Sequence, residues 1–235
     1  MSVSLKYKIR FLKEYLTFKK AGGKVDKFFP IYSDYKEQAG SATGHYFHQD
    51  LLVASYISKN NPTRHIDIGS RIDGFVAHVA SFRPIEVIDV RELNNTGHDN
   101  IRFKCMDLMN ADEIEPAICD SLSCLHAIEH FGLGRYGDPI NPSGHLTGFK
   151  NLLKMLKRGG TLYISFPISH SDQLHFNAHR VFRPDSILNW QNETALEMLS
   201  FSFVDDAGNL HREVPISAVP VETEYGCGIY TFKKI

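Results

Sequence analysis

Between Arg64 and Ala80 the chain passes from a short apolar segment, through a polar turn, into a run with the apolar density of a helix. The first part, Arg64-His65-Ile66-Asp67, reads as a buried strand ending at an acid. The turn carries Gly69 and Gly74, and the last part is Phe75-Val76-Ala77-His78-Val79-Ala80. Strand, glycine turn and helix in that order restrict the chain to a sheet that alternates strands and helices. A glycine lets the main chain turn sharply and approach a ligand, because no Cβ intervenes. The strict G-x-G-x-x-G spacing is absent: Arg71 and Asp73 stand where glycines are expected. Taken alone, the turn suits a structural corner as well as a ligand loop.

The following segments favour the ligand loop. Pro84–Arg91 is a second apolar strand, and its Asp89 lies 22 positions beyond Asp67, the length of one strand–helix–strand unit. A carboxylate at the end of that strand can accept both hydroxyl protons of a ribose diol. A third strand, Ile101–Cys105, leads into Met106-Asp107-Leu108. There an acid between apolar residues can meet an amino group of a flat base, or equally cap a helix. Asp120–His126 reads as a fourth strand and Gly148–Lys157 as a helix closed by Arg158-Gly159-Gly160. Thr161–Pro167 is then a fifth strand. A His-rich polar stretch, Ile168–Phe182, precedes a helix over about 184–192. Leu199–Val204 and Gly228–Lys233 alternate apolar and polar residues, as antiparallel strands added at one edge would. The expectation is a doubly wound, mostly parallel α/β sheet.

Upstream, Leu5, Ile9, Leu12 and Leu16 recur at helical spacing until Ala21-Gly22-Gly23 stops the helix. Residues 27–48 are irregular and rich in Tyr, Phe and Gly, the character of a lid or binding loop. His45–Asp50 reads as a helix entrance, Leu51–Ile57 as its buried body, and Asn60-Asn61-Pro62 as its stop. We therefore divide the chain into a helical cap and lid, residues 1–62, and a sheet domain, residues 63–235. A net charge of −1 offers nucleic acid no electrostatic footprint. Four cysteines without a C-x-x-C pair fit reduced thiols and a cytoplasmic protein. No segment reads as a signal peptide or membrane span.

Together these segments resemble the class I S-adenosylmethionine-dependent methyltransferases. Asp67-Ile68-Gly69 resembles the acid-x-Gly start of their first motif, Asp89 their ribose-binding acid, and Asp107 the acid beside the adenine. Leu125-His126-Ala127-Ile128-Glu129-His130 is similar to the segment after their fourth strand. Leu153–Leu162 is similar to the turn before their fifth, with Arg158 where proline is usual. More narrowly, the chain resembles an uncharacterised bacterial branch catalogued as a domain of unknown function and linked to surface-glycan assembly. The resemblance implies a seven-stranded Rossmann-like sheet with an antiparallel last strand. It implies S-adenosyl-L-methionine as cofactor, held by Asp67, Gly69, Ser70, Arg71, Asp89, Asp107 and His126. The acceptor it implies is small and polar, for example sugar-linked or phosphorylated. The candidate base or positioning groups are His130, His126, His175 and Tyr136, with His145, His170 and His179 nearby in sequence. No metal is expected in this reading.

One rival is a zinc hydrolase. His126-Ala127-Ile128-Glu129-His130 matches H-x-x-E-H, which binds zinc when its histidines share one helix. Here the motif directly follows a strand. His175 and His179 form a further metal-pair candidate. A relative of the same fold without catalysis is the third possibility.

Overall fold

The computed structural model describes residues 4–190 and 196–235. The chain forms two compact units, residues 1–42 and 43–235. By contacts, the helix His45–Asn60 therefore belongs with the sheet, whereas the sequence-based division falls at 62/63.

The smaller unit holds helix α1 (Leu5–Lys20), as its spacing predicts. An aromatic cluster follows it, with Phe11 packed edge-on against Phe28 and Tyr32, and Tyr7 stacked on Tyr35. Arg10 pairs with Glu14, and the Tyr35 hydroxyl donates to the same carboxylate.

The larger unit is built on strands β1 (His65–Ile68), β2 (Ile85–Asp89), β3 (Ile101–Cys105), β4 (Cys119–Leu125) and β5 (Leu156–Ile168). Further strands are β6 (Gln173–His175), β7 (His179–Val181), β8 (Leu196–Val204), β9 (Leu210–His211) and β10 (Gly226–Lys234). One eight-stranded sheet runs β3-β2-β1-β4-β5-β10-β8-β9. Pairings from β3 to β5 are parallel, and those of β10 with β5, β8 with β10 and β9 with β8 are antiparallel. The expected seven strands are present, and β9 adds a two-residue edge. Every residue of β1 is buried, as a central parallel strand covered on both faces requires.

Two apolar cores cover the two faces. Helix α2 (His45–Asn60), the turn holding Phe75, and α3 (Ala77–Ala80) bury Val53, Ile57, Phe75 and Val79 on one. Helix α4 (Gly144–Met155) buries Phe149, Leu152 and Met155 on the other.

Three local expectations are corrected. α4 spans Gly144–Met155 rather than 148–157. Leu156, fully buried, already pairs with Cys119, so β5 begins before the glycines that were read as a helix stop. The helix over 184–192 is a single 3-10 turn, Ser186–Asn189, and residues 191 and 192 lie outside the described residues. The helix after the glycine turn is short. A π-type turn, Ile72–Val76, kinked at Gly74, comes before α3. Glycine at 74 leaves room for the Asp50 side chain of α2, because a Cβ there would sit 2.6 Å from Asp50 Oδ2.

Candidate functional site

The sheet's connectivity reverses between β1 and β4, and open α/β sheets bind ligands at the carboxyl ends of the strands flanking that point. A cleft of about 530 Å³, counted to its open mouth, lies there. Ile68 and Gly69 at the end of β1, Asp89 and Arg91 at the end of β2, Met106–Met109 after β3, and His126, Ala127 and His130 after β4 line it. Tyr136 and Asp138 close it.

Gly69 carries φ +70°, and a Cβ there would lie 2.9 Å from Ala127 Cβ. Its N–H donates to Ile88 O at 2.9 Å, which fixes the turn to the end of β2. Here glycine is demanded both by its left-handed backbone and by close approach.

Asp67 does not reach the cleft. It is fully buried below the turn, accepting from Ser70 N (3.1 Å), Ser70 Oγ (2.7 Å) and Ser123 Oγ (2.5 Å). The same Ser123 contacts His65 Nε2 at 3.1 Å, and Ser121 contacts His65 Nδ1 at 2.8 Å. Ser123 donates to Asp67, so it accepts from Nε2–H, which leaves Nδ1 to accept from Ser121. Burial pushes the Asp67 carboxyl up to about 7 and, by disfavouring the imidazolium, His65 down to about 3. Ser70 spends its N–H and hydroxyl on Asp67, and Arg71 pairs with Asp73 at the surface. Of the seven expected cofactor ligands, the cleft thus brings together Gly69, Asp89, Asp107 and His126.

Asp89 is met by its own neighbour. Arg91 N and Nε donate to Oδ1 at 2.8 and 2.9 Å, and Nη2 donates to Oδ2 at 2.6 Å. Arg91 then lies 4.5 Å over the Tyr136 ring. A carboxylate has about four acceptor positions, so a partner can still be taken. One Asp107 oxygen accepts from Met109 N at 2.8 Å in a local turn; no helix starts there, the next 3-10 turn being capped by Asn110, and Asp107 lines the cleft. Ile88, Met106 and Leu108 supply the apolar walls.

After β4 the chain turns at His126 (φ +49°), and Ile128–His130 is one 3-10 turn. The zinc motif is therefore not on a helix. Instead, His126 Nδ1 meets Glu129 Oε1 at 2.9 Å. Burial alone disfavours the His126 imidazolium, but the Cys227 sulfur and the Glu129 carboxylate outweigh it and raise the pKa. Glu129 is correspondingly lowered by His126, against its own burial. His130 Nδ1 meets Ala178 O at 2.7 Å, with its ring edge-on to Tyr136 and His179. Burial lowers its pKa, which keeps the imidazole neutral and able to accept a proton.

The His-rich stretch is a hairpin. β6 and β7 pair His175 with His179, whose ring nitrogens lie 3.3 Å apart. Arg135 Nη1 and His130 both reach Ala178 O, so the segments 126–136 and 170–179 meet. Buried Arg180 fastens the hairpin to the loop after β4 by donating to Phe131 O (2.7 Å) and Pro142 O (3.0 Å). His145 packs among Phe182 and Trp190, and His170 lies at the Thr223 backbone.

The sequence reading missed Arg91 and Asp138. Asp138 shapes the cleft by accepting from Gly132, Gly134 and Tyr136 N–H groups. The cluster Gly132-Leu133-Gly134-Arg135-Tyr136-Gly137-Asp138 carried the signal: an Asp in a glycine-rich turn is suited to accept from nearby backbone N–H groups.

Residues 83–188 match the model of a family described as a Caenorhabditis protein of unknown function. That description does not place the chain in a bacterial branch. No curated protein matches the sequence. Among solved structures, the chain is similar to a Burkholderia thailandensis 1,6-didemethyltoxoflavin-N1-methyltransferase crystallised with 1,6-didemethyltoxoflavin and S-adenosylhomocysteine. The TM-score is 0.56 at 12% identity, over 100% of this chain and 91% of that one. It is similar to the N-methyltransferase NodS of Bradyrhizobium japonicum, crystallised with S-adenosylhomocysteine (TM-score 0.55, 13% identity, 94% and 97% covered). It is equally similar to the [4+2]-cyclase SpnF (TM-score 0.57, 15% identity, 97% and 95% covered). At these identities the likeness establishes a Rossmann-like methyltransferase fold. The cyclase illustrates that such a fold does not by itself fix the chemistry.

Proposed function

We propose that this protein is an S-adenosylmethionine-dependent methyltransferase acting on a small polar acceptor. The observation that carries the reading is the convergence of Gly69, Asp89 and Asp107 on one cleft at the switch point of the sheet. The residues fit the cofactor. Gly69 offers backbone without a Cβ, Asp89 a carboxylate with an acceptor position left for a ribose hydroxyl, and Asp107 an acceptor between the apolar Met106 and Leu108. When bound, the cofactor supplies a methyl group already activated by its sulfonium charge. The chain's contribution is alignment and proton removal. His130 is the base we favour: burial disfavours its imidazolium, it lines the cleft, and Ala178 O fixes its Nδ1 side. Tyr136 and Arg91 position the acceptor, and His175 and His179 extend its wall along the hairpin. Histidine, tyrosine and arginine suit a hydroxylated or phosphorylated acceptor, and we place it in surface-glycan assembly.

The test is calorimetry with S-adenosylhomocysteine. It is followed by transfer of labelled methyl from S-adenosylmethionine to a panel of sugars and sugar phosphates. Binding without transfer to any acceptor would favour a non-methylating member of the fold, and absence of binding a non-catalytic one.

A further inference from the structure

Beside the cleft, three residues distant in sequence bring metal-ligating atoms together. His45 opens α2, His126 follows β4, and Cys227 lies in β10. One ligand atom from each lies within 4.8 Å of the other two, the one such group of three or more among the described residues. Cys227 is fully buried; its sulfur lies 3.8 Å from Gln49 Oε1 and 3.8 Å from Gly228 O, and it also acts on the His126 ring. The His126 side chain is 6% exposed, and its Nε2 has no hydrogen-bond partner. An orphaned buried nitrogen is costly unless something pairs with it.

The other nitrogen of His126 explains the orientation. Nδ1 meets the buried carboxylate of Glu129 at 2.9 Å, so Nε2 is the nitrogen left for a metal, which would displace any proton it carries. A carboxylate behind a histidine in this way is the usual support of a metal-binding imidazole, fixing tautomer and ring orientation. The His45 ring stacks on His126 at 5.3 Å, with Tyr225 on its other side at 5.5 Å. Both histidine rings are thus held by packing at the cluster.

We propose that His45, His126 and Cys227 form a binding site for a zinc-type divalent transition metal, supported by Glu129. Two imidazoles and one thiolate suit zinc, and three protein ligands leave a tetrahedral position open, the pattern of a reactive rather than a purely structural site. Tetrahedral bonds of about 2.0–2.3 Å put ligand atoms roughly 3.3–3.7 Å apart, so the cluster closes by about 1–1.5 Å of side-chain movement. Binding displaces the Cys227 thiol proton to solvent. The ligand set differs from that of the H-x-x-E-H motif: Glu129 and His130 are not ligands, and two partners come from α2 and β10. The site stands independently of the methyl-transfer reading. The open position would take water or an oxygen of a small ligand at the wall shared with the cleft, because His126 lines both.

The test uses the full chain, stripped with chelator and then titrated with Zn²⁺ or Co²⁺. Elemental analysis after dialysis should give one metal per chain. The cobalt form should show a thiolate-to-cobalt charge-transfer band in the near ultraviolet, read without any substitution. Cys227→Ser should abolish the band and His45→Ala should weaken the metal at least tenfold. Glu129→Gln should weaken it about 10- to 100-fold. His98→Ala, at an exposed loop position, should change nothing. Substoichiometric metal, a cobalt spectrum without sulfur ligation, or an unchanged metal content in folded His45→Ala overturns the proposal.

Discussion

Replacing Gly69 by alanine tests why the turn after β1 carries glycine. Two costs can be separated. The backbone sits at φ +70°, which costs an alanine about 1–2 kcal/mol. The new methyl would also lie 2.9 Å from Ala127 Cβ, well inside the ~3.5–4.0 Å of favourable carbon contact. Both carbons are fixed directly to main chain, and Ala127 is 6% exposed, so relief requires the turn or the chain after β4 to shift. Overpacking of this kind adds about 1–3 kcal/mol. Gly69→Ala should therefore destabilise the protein by about 2–5 kcal/mol in urea unfolding at unchanged m-value. Ala127→Gly alone should cost about 0.5–1 kcal/mol. The double variant should be more stable than the sum of the two single effects by at least ~1 kcal/mol, because the clash is gone and only the backbone cost remains. A strictly additive double variant, or a Gly69→Ala protein within about 0.5 kcal/mol of the parent, would refute the close-approach argument.

Three further outcomes follow from the site. Asp89→Ala should weaken S-adenosylhomocysteine binding by about 1.5–3 kcal/mol in calorimetry. It should cost under ~1 kcal/mol of stability, since its Arg91 partner is half exposed. Equal affinity in the variant would remove Asp89 from the cofactor's binding groups. His130→Ala and His175→Ala should lower the turnover of labelled-methyl transfer more than cofactor affinity. The reverse pattern would move both residues to the cofactor side. Finally, the folded Asp67 carboxyl is raised from 3.8 to about 7. Below about pH 4 it is protonated in both states. Between about pH 4 and 7 the unfolded chain releases the proton while the folded chain keeps it, so stability falls as pH rises. The loss from this group is of the order of 3–4 kcal/mol. Asp67→Asn should remove this group's share of the slope; Asp50, raised to about 6, acts with the same sign, while His45, His65 and His145, lowered by burial to about 4, 3 and 4, act with the opposite one. A stability difference between Asp67→Asn and the parent that is constant with pH would contradict it.

Much of the sheet was legible because its strands are buried on both faces and punctuated by glycine. β1, β2, β3, β4 and the two late antiparallel strands fall within a few residues of their expected positions. The α4 boundary was not legible, because the Leu156-to-Gly160 stretch carries the same glycine signal whether it stops a helix or bends a strand. The hairpin at Gln173–Val181 was hidden by its polarity: exposed two-stranded ribbons show no apolar alternation. At the site, Gly69, Asp89 and Asp107 could be placed from strand ends alone. Asp67 could be placed in sequence, but its burial beneath Ser70 and Ser123 depends on a neighbour 56 residues away. The grouping of His45, His126 and Cys227 was beyond reach, since sheet order alone brings β10 next to β5 and α2 against that face.

The central claim is that the cleft over Gly69, Asp89 and Asp107 holds an S-adenosyl cofactor, and calorimetry of the unmodified chain with S-adenosylhomocysteine tests it most directly. One site per chain is expected, with a dissociation constant on the order of micromolar, about −8 kcal/mol. The thermal midpoint should rise with ligand concentration. No heat and no thermal shift at millimolar S-adenosylhomocysteine, with the chain folded, would contradict it.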